Sequence, residues 1–355
     1  MRQQPERHRQ AEEQVNRAPT QSRRAFLRMG LGMAASASLA SWLAACGPEA
    51  GHQAKLEPTA TATRAIPTAT PDLRPITIAI TGDVMLARSL TTQMMASTDR
   101  FPFNETADYL RSFDLTVGNL ECVVSTLGSP TPGKEYTFEA NPIGFRRLQD
   151  AGFDIMSVAN NHSGDFGTSA FMDMLTHLPR YGIVPLGGGS NLAAAHTPVI
   201  KTLRSTTVGF LAYCEIEPAS FAATATTPGH AWLDPDLVRA DITALRPQVD
   251  YMVVFTHWGI EYQVVEDGDQ QAMAHLAIDS GADFVIGAHP HVRQPSELYR
   301  GKPIVYSLGN FVFDEMPGYE ESHANVLELT LQGSNLLDWK LRGLVIASTG
   351  QPSWD

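Results

Sequence analysis

Ala282-Asp283-Phe284-Val285-Ile286-Gly287-Ala288-His289-Pro290-His291 runs from an apolar stretch straight into two imidazoles at i and i+2. The apolar half reads as a buried parallel strand, and in an open α/β sheet ligands bind in the crevice outside the strands' carboxyl ends. The pattern recurs along the chain. Asp83 follows Ile76-Thr77-Ile78-Ala79-Ile80, and Glu121 follows Leu115-Thr116-Val117. Asn161 and His162 follow Ile155-Met156-Ser157-Val158, and His257 follows Met252-Val253-Val254-Phe255. Five strands that each end in a potential metal ligand predict a metal site, most naturally a hydrolytic one.

Strand signals fall at 76–80, 115–118, 154–158, 207–213, 251–256, 283–287 and 303–308, with helical patterns between most of them. Ile143 to Asp150 is followed by Gly152, Ser169 to Tyr181 stops at Gly182, and Asp269 to Ser280 stops at Gly281. A glycine there supplies the left-handed residue that ends a helix. Asp236 to Leu245 starts just after a proline. Asn325 to Leu331 and Leu337 to Ile346 flank Gly333-Ser334-Asn335 and read as an antiparallel hairpin. Antiparallel strands after a series of α/β units predict two sheets packed together between helical layers. Residues 76–346 are therefore expected to form one large α/β domain, with 347–355 as a C-terminal tail.

The ends of the chain read as addresses. Ser22-Arg23-Arg24-Ala25-Phe26-Leu27-Arg28, followed by a small-residue apolar segment to Ala45, matches a twin-arginine export signal. Leu43-Ala44-Ala45-Cys46-Gly47 resembles a lipoprotein box, with cleavage before Cys46 and lipid on its sulfur. The rival is a plain transmembrane anchor, for which the apolar run is short against the roughly 20 residues a span needs. The expectation is a signal peptide over 1–46 and an extracytoplasmic protein, lipid-anchored to the bacterial cell membrane. Residues 47–75, rich in Pro, Thr and Ala, read as a disordered tether.

Net charge is −12, to which the first 46 residues contribute +4 through seven arginines and three glutamates, leaving the remainder at −16. So acidic a body is not expected to bind nucleic acid. Beyond Cys46 only Cys122 and Cys214 remain, both in apolar strand-like contexts. A disulfide between them is possible in an oxidising compartment, but buried free thiols fit those contexts better. If Glu121 points into the site, period-2 alternation turns Cys122 away from it.

Six motifs occur in order. They are Thr81-Gly82-Asp83-Val84-Met85-Leu86, Gly118-Asn119-Leu120-Glu121, Ala159-Asn160-Asn161-His162, His257-Trp258-Gly259-Ile260-Glu261-Tyr262, Gly287-Ala288-His289-Pro290-His291-Val292 and Tyr306 to Asp314. Together they resemble the CapA/PgsA family of poly-γ-glutamate capsule synthesis proteins, a branch of the calcineurin-like metallophosphoesterases. The likeness covers essentially all of 76–345. It implies a four-layer αββα sandwich of the metallophosphoesterase type. It also implies a metal site of Asp83, Glu121, Asn161, His257, His289 and His291, with His162 as acid or charge stabiliser. Two departures stand out. Met85 occupies the position of the histidine in D-x-H, and Asn119-Leu120-Glu121 replaces G-D-x-x-D, making Glu121 the bridging carboxylate. The loss at Met85 leaves open whether one or two metals bind.

Three histidines, carboxylates and an amide oxygen make a mixed N/O set that suits Zn, Mn or Fe over Mg or Ca. His162 could protonate a leaving group if its pKa lies near ambient pH. Asn119, Asn160, Glu261, Asn310, Asp314 and Arg88 are candidate substrate contacts or orienting groups. Lys134 and Arg293 join Arg88 as possible anion contacts, each with surface solvation as its alternative. Trp258 and Tyr262 divide evenly between packing and substrate stacking. His177, His196, His230, His275 and His323 read as ordinary histidines, and Gly187-Gly188-Gly189 as a tight turn near the site. By resemblance the protein serves synthesis, export or attachment of an anionic surface polymer such as poly-γ-glutamate. The rivals are a non-catalytic scaffold subunit of a membrane polymer synthase and a secreted phosphoesterase. The loss at Met85 counts against the last.

Overall fold

The computed structural model describes residues 72–316 and 318–355. The export signal, Cys46 and the tether up to residue 71 lie outside the described residues. Two sheets form the centre. The first runs in the order Pro352–Trp354, Asn335–Ile346, His323–Gln332, Ile76–Val84, Leu115–Leu120, Ile155–Ser157 and Val184–Leu186, and Asn310–Val312 also pairs with Ile76–Val84. The second runs Ser296–Tyr299, Lys302–Val305, Phe284–Ala288, Tyr251–His257, Thr206–Cys214 and Val199–Leu203.

Side-chain alternation along these strands explains the layering. Ile76, Ile78 and Ile80 from the first sheet meet Phe210, Ala212, Val253, Phe255, Phe284 and Ile286 from the second in one buried cluster. The intervening residues face outward. Ala79 joins the cluster that holds Leu90, Phe145, Leu148 and Phe171 from the helices Arg88–Ala96, Ile143–Ala151 and Gly167–His177. Leu211, Tyr213, Met252, Val254 and Val285 pack on Val238, Ile242, Ala274 and Ile278 from Pro235–Leu245 and Gly268–Ser280. The architecture is the four-layer αββα sandwich. Each fully buried aliphatic or aromatic side chain in these clusters contributes roughly 1.5–3 kcal/mol, so three clusters supply ample driving force.

Local chemistry sets the helix limits. Asp267 accepts from the Asp269 and Gln270 amides and completes a capping box with Gln270. Asp234 accepts from the Asp236 and Leu237 amides to cap Pro235–Leu245, with Pro235 in the first turn. Gly152, at φ 93°, ends Ile143–Ala151. The hairpin forms as expected, His323–Gln332 pairing with Asn335–Ile346 around Gly333-Ser334.

Three expectations need correction. The segment 347–355 is not a tail outside the domain. Its strand Pro352–Trp354 pairs with Leu344–Ile346, and Trp354 lies edge-on to Tyr109 with Arg342 over its ring. The domain also begins before residue 76, because the Ser205 amide donates to Asp72 O and Arg204 Nη1 to Pro75 O. Finally, Trp258 is packing and not a stacking surface. It is fully buried, and its Nε1 donates to Tyr306 O at 2.9 Å.

That indole bond crosses directly over Gly287. A Cβ there would sit 1.9 Å from Tyr306 O and 2.3 Å from Trp258 Nε1. Gly287→Ala must displace backbone or a buried Trp, so it is expected to cost about 3 kcal/mol or more. Denaturant unfolding of the variant checks this, and a loss below about 1 kcal/mol would contradict the packing described.

Candidate metal centre

The parallel strands deliver their ligands at one end because their registers align. Asp83 stands beside Asn119 and Asn310, Asn119 beside Ser157, and His257 beside Ala288, one residue before His289. Asp83, Glu121, Asn161, His162, His257, His289 and His291 are all buried. His289 and His291 hold φ of 97° and 60°. Such left-handed backbone is unusual for non-glycine residues and concentrates at functional sites.

Glu121 is the centre of the arrangement. Its Oε1 lies 3.7 Å from His291 Nε2, 3.8 Å from His257 Nε2 and 3.9 Å from His162 Nε2. Neither of its buried carboxylate oxygens has a hydrogen-bond partner. Burial, reinforced by nearby Asp83, pushes its carboxyl well above the usual carboxylate range. Burial likewise raises Asp83 and holds His257 and His289 well below the ordinary imidazole range. Buried carboxyl groups and imidazoles gathered around orphaned oxygens make a cation-shaped environment. Two sets, Asp83/Glu121/His291 and Glu121/His257/His289, each offer ligand atoms within 4.8 Å of one another, and Glu121 belongs to both.

A chain of amides holds these groups in place. Asn160 Nδ2 donates to Leu120 O and Asn119 Oδ1, and Asn160 Oδ1 accepts from the His162 amide. Asn119 Nδ2 then faces Asp83 Oδ1 at 2.8 Å and His257 Nδ1 at 3.2 Å. His257 Nε2 lies 2.8 Å from Asn161 Oδ1, so both face the same point. The His289 amide donates to Asp83 Oδ2. Asn310 orients His291, its Oδ1 lying 2.9 Å from Nδ1 and its Nδ2 donating to His291 O. Asn119, Asn160 and Asn310 are thus orienting groups.

His162 has its own support, which the sequence did not disclose. Asp165 Oδ2 accepts from the Phe138 amide and lies 2.7 Å from His162 Nδ1, while Asp165 Oδ1 pairs with Lys134. A carboxylate so engaged can only accept, so His162 Nδ1 carries the proton and Nε2 presents a lone pair towards Glu121. Burial holds the His162 imidazole down to about 4, and its ring stacks on Phe138. Lys134 is therefore no anion contact. Its ammonium ties Asp165 to the backbone carbonyl of Asn161.

The centre opens into a cleft of about 200 Å³ lined by Arg88, Tyr136, Phe138, His162, Glu261, Tyr262, His291 and Phe313, with Glu315 and Met316. Arg88 lies over the Phe138 and Phe313 rings and is paired with Asp314 and Glu315. Asp314 accepts from Arg88 and Ser89 and touches no member of the metal-ligand sets, so it positions Arg88. Arg293 does not line the cleft. Cys122 and Cys214 are free and buried. Cys122 Sγ accepts from the Leu86 amide on the helix side of the first sheet, away from Glu121.

His230 is the one ordinary histidine with an unusual setting. It is buried with both ring nitrogens unpartnered, and burial holds it at about 4. The unfolded chain takes up a proton near 6.5 that the native ring refuses. Its contribution to stability is therefore complete above pH 6.5 and drains away as pH falls towards 4. At pH 4.5 His230→Leu is expected to recover up to about 3 kcal/mol relative to pH 7, read from unfolding curves at both pH values. Equal losses on acidification in both proteins would refute this.

Residues 77–315 match the family model described as "Bacterial capsule synthesis protein PGA_cap". The chain belongs to that bacterial capsule synthesis family. Among its relatives, a PGA biosynthesis protein CapA of Bacillus subtilis is 32% identical over 66% of this chain, and a capsule biosynthesis protein CapA of Bacillus anthracis 29% identical over 68%. The matched parts span 62% and 60% of those two proteins' own lengths. A probable polyglutamine synthesis accessory protein of Mycobacterium tuberculosis is 32% identical over 70% of both chains. Among solved structures, a 5'-nucleotidase precursor from Thermus thermophilus aligns with a TM-score of 0.49 at 14% identity, covering 79% of this chain and 56% of its own. A putative 5'-nucleotidase from Staphylococcus aureus gives 0.49 at 16%, covering 75% and 54%.

Proposed function

We propose that this family member carries a divalent-metal centre with hydrolase-like chemistry and serves synthesis, export or attachment of an anionic capsule polymer such as poly-γ-glutamate. Glu121 is the observation that supports it most. Two orphaned carboxylate oxygens among three imidazoles are tolerable in a buried cavity when cations supply the missing partners. Asp83, Glu121 and His291 would hold one ion, and Glu121, Asn161, His257 and His289 another. This mixed N/O set fits Zn, Mn or Fe. Such ions, when bound, supply Lewis acidity and lower the pKa of water.

The chain's own residues contribute the rest. His162, neutral and with Nε2 bare, receives a proton instead of donating one, and Asp165 stabilises the imidazolium that results. Amide or ester hydrolysis needs that step. Phosphoester hydrolysis is less well served, because Glu261 and Glu315 at the cleft mouth oppose a phosphate dianion. The capsule role rests on the Bacillus relatives, a PGA biosynthesis protein and a capsule biosynthesis protein. Arg23-Arg24 and Cys46 support export by the twin-arginine route and a lipid anchor in the cell membrane.

A remainder charged −16 opposes a polyanion, so polymer binding has to depend on the cations. Metal analysis of the purified protein, followed by assay against poly-γ-glutamate and a generic phosphoester, tests the proposal. Metal-dependent shortening of the polymer supports it, and absence of bound metal refutes it. The mycobacterial relative's description as an accessory protein favours a second reading, a non-catalytic subunit that scaffolds a membrane synthase. Metal bound with turnover of neither substrate would establish that one instead.

A further inference from the structure

We infer that Glu261 is a metal ligand of this centre, closing from the solvent side the coordination that Met85 leaves short. The inference rests on the proposal that cations gather at Glu121. Of the two donor sets, Asp83/Glu121/His291 has three members, while Glu121/His257/His289 gains a fourth from Asn161 Oδ1, 2.8 Å from His257 Nε2. Met85 offers the weaker set nothing. Its side chain is fully buried in the cluster on the helix side of the first sheet, and its sulfur accepts from the Ala87 amide. A fourth protein donor for that set must come from elsewhere.

Glu261 adjoins that set through His291, the ligand they have in common. One of its carboxylate oxygens and ring nitrogens of His289 and His291 all lie within 4.8 Å of one another. This carboxylate is on an exposed residue, whereas Glu121 is fully buried. His289 Nδ1 is buried without a partner. Among the described residues no basic side chain pairs with Glu261.

Its position is built into the backbone. The Gly259 amide, at φ 78°, donates to Glu215 Oε1 at 3.1 Å. Three residues on, the Tyr262 amide donates to Pro290 O at 2.8 Å, with Tyr262 itself at φ 65°. The turn bearing Glu261 is therefore tied to the very loop that carries His289 and His291. Left-handed backbone in a bulky residue such as Tyr262 costs energy that the fold must offset elsewhere. A carboxylate on the open face also occupies space and charge that a phosphoryl group would need, which narrows the substrate class towards amides and esters.

The test uses metal-stripped full-length protein titrated with Co²⁺, following visible absorption bands and dissociation constants. Glu261→Ala is compared with Glu315→Ala, which removes a charge from the same cleft mouth without offering a ligand. Glu261→Ala is expected to weaken at least one Co²⁺ site by about tenfold or more and to change its bands. Glu315→Ala should change affinity less than about threefold. Equal behaviour of Glu261→Ala and the unmodified protein overturns the inference, as does equal weakening in both variants, which would mean charge alone. If the unmodified protein takes up no Co²⁺, the metal-centre proposal falls with it. If it binds and only the Glu261 effect is missing, the inference falls alone.

Discussion

Glu121→Gln is expected to abolish cation binding while making the metal-free protein more stable. Glu121 belongs to both donor sets, so its loss weakens both, by about 100-fold or more in affinity. The gain in stability follows from linkage. Burial raises the native carboxyl well above the usual carboxylate range, so the native state holds a proton that the unfolded chain releases. For a group shifted this way, stability is intact below pH 4.5 and is lost as pH rises towards the native pKa. Glutamine keeps the shape and has nothing to titrate. In a chelating buffer its advantage should be smallest at pH 4.5 and grow as pH rises towards the native pKa. Unfolding curves across that range, with and without Mn²⁺, read both effects. A variant that is less stable at pH 7, or that still gains stability from Mn²⁺, would show that Glu121 is not the shared ligand.

His162→Ala is expected to lower turnover about 10²–10⁴-fold while leaving metal content unchanged. The carboxylate of Asp165, fixed by Lys134 and the Phe138 amide, sets the imidazole proton on Nδ1. Asp165→Asn can place an NH₂ donor against that nitrogen and turn the tautomer, so it should lose a large part of the same activity. The pH profile separates a proton acceptor from a proton donor. An imidazole held near 4 is bare throughout the neutral range, so the rate should be level from about pH 6 to 8 as far as His162 governs it. A rate that falls as pH rises through 6.5, and loses that fall in His162→Ala, would make His162 the donor.

Much of this was legible in the chain because strand periodicity and ligand chemistry mark the same points. Asp83, Glu121, Asn161, His257 and His289 each stand at or just past the end of an apolar run, and the aligned registers bring them together. The antiparallel hairpin after the α/β units foretold the pair of sheets, whose inward faces of Ile, Val and Phe meet in one cluster. Asp165 was not legible, because it sits in a turn with no period, and its role depends on an amide and an ammonium nearly thirty residues away in sequence. Lys134 misled for the same reason. A lone lysine in a Gly- and Pro-rich loop looks solvated until its acidic partner is seen in three dimensions. Strand Val199–Leu203 escaped because an edge strand with half-exposed residues shows no apolar run. Pro352–Trp354 escaped because three residues beginning with proline carry no strand signal, and the pairing with Leu344–Ile346 makes the element.

The central claim is that cations bind between Glu121 and the three surrounding imidazoles. Anomalous diffraction from crystals of the full chain grown with Mn²⁺, collected at the metal's absorption edge, tests it most directly. The expected map places its strongest peaks within bonding reach of the Glu121 carboxylate, with His257, His289 and His291 around them. Peaks confined to the acidic surface, with none beside Glu121, would contradict it.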